Sequence, residues 1–203
     1  MEQIGIAAQV SRKTVNYYAW YEMYPSNAYE IPITVAPGNE ISASVTYVGT
    51  NEYQLALSDL STGQNYSILQ TNSSGVRSSA EWIAEAPSSG GSILPLADFG
   101  TVNFTNSLAT LNGSTSGSIS AFSNTAINLV ASSGFSATTS GLSANGGDFS
   151  VSVVSPTGGG GGGGHHGRQS TLITTTAAPE PSSLLLLGAA GLLPLAARRR
   201  RAS

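Results

Sequence analysis

Apolar and polar residues alternate with a period of two in several stretches of the first 157 residues, the spacing of strands with one face turned inward. From Val15 to Met23, the residues Asn16, Tyr18, Trp20 and Glu22 fall on one side and Val15, Tyr17, Ala19, Tyr21 and Met23 on the other. Ile41, Ala43, Val45 and Tyr47 share a face of a second strand, and Tyr53, Leu55 and Leu57 a face of a third. Asp59 to Gln64, with Ser61, Thr62 and Gly63 inside it, predicts a turn. Ala80 to Glu85 predicts another strand, Val102 with Phe104 one more, and Ile127, Leu129, Phe149, Val151 and Val153 the last ones. Closely spaced strands without an amphipathic helix predict an all-β fold, an antiparallel β-sandwich.

Composition strengthens this picture. Only 9% of the residues are charged, and Gly, Ser, Thr and Asn abound, which disfavours helix. Residues 1–157 carry three basic side chains, Arg12, Lys13 and Arg77, against ten carboxylates, a net charge of −7. Such a body offers no footprint for nucleic acid. Once its carboxylates are protonated it carries little charge, which suits acid conditions as well as ordinary export.

The pattern changes after residue 157. Gly158 to Gly164 is unbroken glycine, followed by His165, His166 and a Ser/Thr-rich stretch. Residues 158–178 are therefore expected to form a flexible linker. Residues 179–203 hold Pro179-Glu180-Pro181, an apolar run from Leu184 to Ala197 expected as a short hydrophobic helix, and Arg198 to Arg201. The run is shorter than the roughly 20 residues of a standard membrane span, and the arginines are expected to stay cytoplasmic. This ordered set resembles the PEP-CTERM sorting signal. The resemblance implies an exosortase-type membrane enzyme as partner, transient anchoring through Leu184 to Ala197, and delivery to the cell surface or beyond. Met1 to Val10 lacks the apolar core of an export signal, so the true start is expected to lie upstream.

Several chemistries are excluded. The chain has no cysteine, and the body has no histidine, so a thiol nucleophile and a Ser-His-Asp triad are absent. No metal or cofactor is expected. The glycine run is not followed by Lys-Ser/Thr and is no phosphate loop. Carboxylate and amide chemistry remain. Glu81 and Glu85 share a strand face with Ile83 but stand about 13 Å apart, so a catalytic partner for either must come from another strand. Two glutamates on a strand also fit a plain solvated face.

Five segments in order carry a resemblance: Tyr18-Ala19-Trp20-Tyr21-Glu22-Met23-Tyr24-Pro25, Pro37-Gly38-Asn39-Glu40-Ile41, Leu60-Ser61-Thr62-Gly63-Gln64, Ser79-Ala80-Glu81-Trp82-Ile83-Ala84-Glu85, and Leu94-Pro95-Leu96-Ala97-Asp98-Phe99. Together they resemble the glutamic peptidases, the eqolisin family, from residue 3 to about 105. The resemblance implies a concanavalin-like sandwich over residues 1–157 and an acid endopeptidase acting on polypeptides, expected as a monomer. It implies Glu85 as general base, Gln3 of Gln3-Ile4-Gly5 as its catalytic partner, and Trp20, Glu22 and Glu81 lining the substrate cleft. Gln9 is a second candidate partner, without the following glycine. Trp20 fits the interior of a sandwich equally well.

The family's N-terminal Trp-Val-Gly-x-Asp-Gly segment has no counterpart here. With Met1 as the start, Gln3 is expected on a frayed end beside an unpaired sheet edge. The alternative readings are a non-catalytic surface-displayed binding or matrix module, its rings Tyr17, Tyr18, Trp20 and Tyr21 displayed for a sugar, or an inactive truncated peptidase.

Overall fold

The structure, a computed structural model, describes residues 1–11, 14–89, 92–130, 136–154 and 169–176. Its strands are β1 (Glu2–Ser11), β2 (Thr14–Met23), β3 (Tyr29–Ile31), β4 (Ile41–Gly49), β5 (Glu52–Asp59), β6 (Gln64–Thr71), β7 (Trp82–Glu85), β8 (Ser88–Ser89) and β9 (Ser92–Ile93). They continue with β10 (Thr101–Phe104), β11 (Leu108–Leu111), β12 (Thr115–Ser118), β13 (Leu129–Val130), β14 (Ser136–Thr139), β15 (Phe149–Val154) and β16 (Gln169–Thr176). All pairings are antiparallel.

Two layers form the first half of the molecule. One is a five-stranded sheet in the order β3-β2-β1-β16-β7; the other is the meander β4-β5-β6. The alternation in β2 does what its sequence predicts: Ala19, Tyr21 and Met23 join Ile4 and Ile31 and pack on Tyr53, Leu55 and Leu57 of β5. Leu55 is completely buried. A second core gathers Ala84 of β7 with Leu96, Phe104, Ala137 and Val151, over which Trp82 and Phe149 close. It joins β7 to the four-stranded sheet β10-β15-β14-β13. The expected all-β antiparallel sandwich is thus present.

The β5–β6 turn shows how local chemistry sets register. One carboxylate oxygen of Asp59 accepts the backbone N–H groups of Ser61 (2.8 Å) and Thr62 (3.0 Å), an Asx-type turn. Gly63 completes it at φ +77°, a region open to glycine.

Three expectations need correction. Glu2–Ser11 is a strand with β2 on one side and β16 on the other, so Gln3 is neither frayed nor at an edge; it is 1% exposed. Residues 169–176, expected within the linker, form β16 in the middle of the sheet. The reason is composition: Thr171, Ile173, Thr174, Thr175 and Thr176 are β-branched and suit a pleated backbone, although Ser and Thr after glycine read as linker. The strand expected from Ala80 begins at Trp82. The glycine run and the hydrophobic helix expected at Leu184 to Ala197 lie outside the described residues. Among the described residues no helix is long and apolar enough to cross a membrane.

Candidate active site

Cross-strand register assembles the site on the face of the five-stranded sheet turned away from the β4-β5-β6 layer. Directly opposite residues share a face. Gln3 of β1 stands opposite Glu22 of β2, and Gly5 opposite Trp20. On the far side of β16, Glu85 stands opposite Leu172, which stands opposite Ala7. Gln3, Trp20, Glu22 and Glu85 therefore lie on one face, three of them carried by the adjoining pair β1–β2.

All four are buried. Glu22 is 2% exposed, Glu85 5% and Trp20 2%. Trp20 packs with Ala7 and Tyr18, and its indole N–H has no hydrogen-bond partner. The Gln3 amide donates from Nε2 to the sulfur of Met1 at 2.8 Å, while its Oε1 has no partner. Buried amide oxygens are ordinarily satisfied, so this one is poised for a donor.

Burial raises both carboxyls. Glu85 is pushed from 4.5 to about 7, first by removal from water and then by the neighbouring Glu81. Glu22 is pushed to about 8, again first by burial and then by the charge of Glu85, with the α-amino group of Met1 pulling the other way. Both directions follow from the cost of ionising a desolvated group near a like charge.

The structure brings some expected residues together and not others. Gln3 and Glu85 lie on opposite sides of β16, opposite Thr176 and Leu172; a flat sheet would hold their backbones about 13 Å apart along the strands and about 10 Å across them. No hydrogen bond joins the two among the described residues. Yet Glu85 raises Glu22, the residue level with Gln3. Glu81 precedes β7 and accepts a hydrogen bond from the Ser79 hydroxyl at 2.8 Å. Gln9, opposite Asn16, lies two residues past the level of Glu85 and is partly exposed.

A cavity of about 470 Å³ runs along β7, which is an edge strand of its sheet among the described residues. Its walls include Glu81, Trp82 and Glu85 on one side and Phe122, Ile127 and Phe149 on the other. The residues from 119 to 142 lie beyond the quoted motifs, and sequence reasoning assigned them no part in a site. The aromatic set expected to lie exposed on one surface does not do so. Trp20 and Tyr21 are buried, and alternation puts Tyr17 and Tyr21 on the face opposite Tyr18 and Trp20.

Fold and site together define an antiparallel β-sandwich with a buried carboxyl–amide cluster. Residues 1–153 match the Peptidase A4 family, and residues 177–201 match the PEP-CTERM protein-sorting motif. The chain is 40% identical over 121 residues to Aspergillopepsin-2 of Aspergillus niger, in an alignment covering 57% of this chain and 42% of that protein. It thus spans less than half the length of that relative. The crystal structure of aspergilloglutamic peptidase from Aspergillus niger superimposes with a TM-score of 0.59 at 26% identity, over 75% of this chain and 99% of that one. The chain belongs to the Peptidase A4 family, the glutamic peptidases.

Proposed function

We propose that the chain is an endopeptidase of the glutamic type, with Glu85 as general base and Gln3 as the amide that holds the reacting groups. One observation carries this: an amide with an unpartnered oxygen and two carboxyls raised by burial lie on one face of one sheet. The step is hydrolysis. Water adds to the substrate carbonyl carbon as its proton passes to Glu85; the C–N bond then breaks and the proton passes to the leaving amine. Gln3 Oε1 accepts from the water, and Nε2 exchanges the weak sulfur acceptor of Met1 for the developing oxyanion. Trp20, Glu22 and Glu81 bound the substrate, and the cavity beside β7 takes its apolar side chains.

Burial favours neutral Glu85 below about pH 7. Work in acid therefore requires the substrate and its water to re-solvate the carboxyl on binding. The same chain is secreted, with residues 177–201, which match the sorting motif, recognised by an exosortase-type enzyme and Leu184 to Ala197 as the transient anchor.

The test is peptide cleavage from pH 2 to 7 by the purified chain and by Glu85→Gln. Cleavage abolished by the substitution is expected; cleavage unchanged by it refutes the role of Glu85.

A further inference from the structure

Strands β1 and β7, which bear Gln3 and Glu85, do not pair with each other. Among the described strands they are joined through β16, which is registered with eight residues of β1 from Gln3 to Val10 and four of β7 from Trp82 to Glu85. β16 also lies over β4 of the facing layer. Without it, β1 and β7 would each present an open row of N–H and C=O groups where β16 now pairs.

What holds β16 in place is also plain. Between Val154, the end of β15, and Gln169 stand fourteen residues without a Leu, Ile, Val, Met, Phe, Tyr or Trp. That connection brings almost no apolar surface of its own to fix the strand. The described hold on the strand is its two backbone ladders. The sorting motif begins at residue 177, directly after Thr176, which stands opposite Gln3.

We propose that the slot between β1 and β7 is a binding site for one extended polypeptide segment, and that residues 169–176 are its separable, complementing occupant. Backbone ladders on both sides supply the affinity, as in other cases of strand addition. The covalent connection supplies a local concentration on the order of millimolar. Assembly of the Gln3–Glu85 sheet is thereby tied to docking of the segment that carries the sorting tail. The site falls apart when that segment leaves, and it survives a cut in the connection for as long as the ladders hold.

The test is hydrogen exchange on the full chain, reading amides in Gln3–Val10 and Trp82–Glu85, with β4, β5 and β6 as internal control. The double variant Leu172→Pro/Thr174→Pro removes ladder donors from β16. Its β1 and β7 amides should exchange at least tenfold faster while the β4-β5-β6 meander stays protected. A synthetic peptide with the sequence of residues 168–177, added at about 1 mM to match the tethered concentration, should restore protection. Unchanged protection in the variant overturns the proposal, and so does protection that the peptide fails to restore. A variant that loses protection everywhere and regains it with peptide supports it; one that does not regain it overturns it. A second form, cut at a protease site placed in the glycine run, should keep residues 169–203 bound through gel filtration. Loss of that fragment with β1 still protected is a further refutation. The exchange readings do not depend on peptidase activity. Cleavage that follows peptide rescue adds the catalytic reading; rescue of protection without cleavage refutes that reading alone.

Discussion

Glu85 should make this protein more stable in acid than at neutral pH, and its amide isostere should abolish much of that dependence. In the folded chain its carboxyl is raised from 4.5 to about 7; unfolded, it returns to the ordinary value. Between these values the unfolded chain gives up a proton that the folded chain keeps. The folded state binds more protons, so stability is fully present below about pH 4.5 and is lost as pH rises toward 7. At 1.36 kcal/mol per unit, this group alone accounts for about 3 kcal/mol. Glu22, raised to about 8 partly by Glu85 itself, acts in the same direction. The assay is urea unfolding at pH 4, 6 and 8, followed by the fluorescence of Trp20 and Trp82. With a slope of about 2 kcal/mol per molar, the wild-type midpoint should fall by at least about 1.5 M from pH 4 to 8. Glu85→Gln keeps the shape and removes the titration. It should match wild type at pH 4, exceed it at pH 8, and be inactive at both. A wild-type midpoint that is flat or rises over this range, or a variant with the wild-type dependence, refutes the reasoning.

Other outcomes follow from the same geometry. Gln3→Ala should lower kcat by about 10²–10³, the usual loss of one oxyanion donor, with a smaller change in KM. The acid limb of kcat should lie near pH 4, the ordinary carboxylate range, below the about 7 of the substrate-free protein; a limb at 7 refutes re-solvation. Trp20→Ala should cost about 3–5 kcal/mol in denaturant unfolding. Trp20→Phe should cost far less, because the indole N–H has no partner to lose. Gly63→Ala should cost about 1–2 kcal/mol through its positive φ alone, since nothing lies within 4 Å of the added carbon.

How much of this was legible in the sequence depended on how each strand is buried. β2 and β5 have one inward face, so alternation revealed them. β1 escaped because Glu2, Gln3, Ile4 and Gly5 are all buried: a strand covered on both faces shows no period of two. β16 escaped because threonine serves linkers and strands alike, and only its two neighbours decide between them. The hairpin β11–β12 runs from Leu108 to Ser118 through Thr, Ser and Gly, too small and polar to show a pattern. Gln3, Trp20, Glu22 and Glu85 were named from ordered motifs, and the register places them on one face. The four-residue offset between Gln3 and Glu85, and the electrostatic link from Glu85 to Glu22, arise from pairing through a distant segment. No local pattern encodes that.

The two layers differ in how far their partners are separated along the chain. The β4-β5-β6 meander is contained within residues 41–71, and closing its short turns costs little entropy. The opposite layer pairs Gln3 with Thr176, a contact spanning nearly the whole described chain. Low-separation contacts form fast and high-separation ones slowly. On the ribosome, the meander and the β1–β2 hairpin can form as they emerge, while the inner edge of β1 waits for residues 159 to 173 positions downstream. Until then a chaperone has an open strand edge to hold, and a partly made chain has one through which to aggregate.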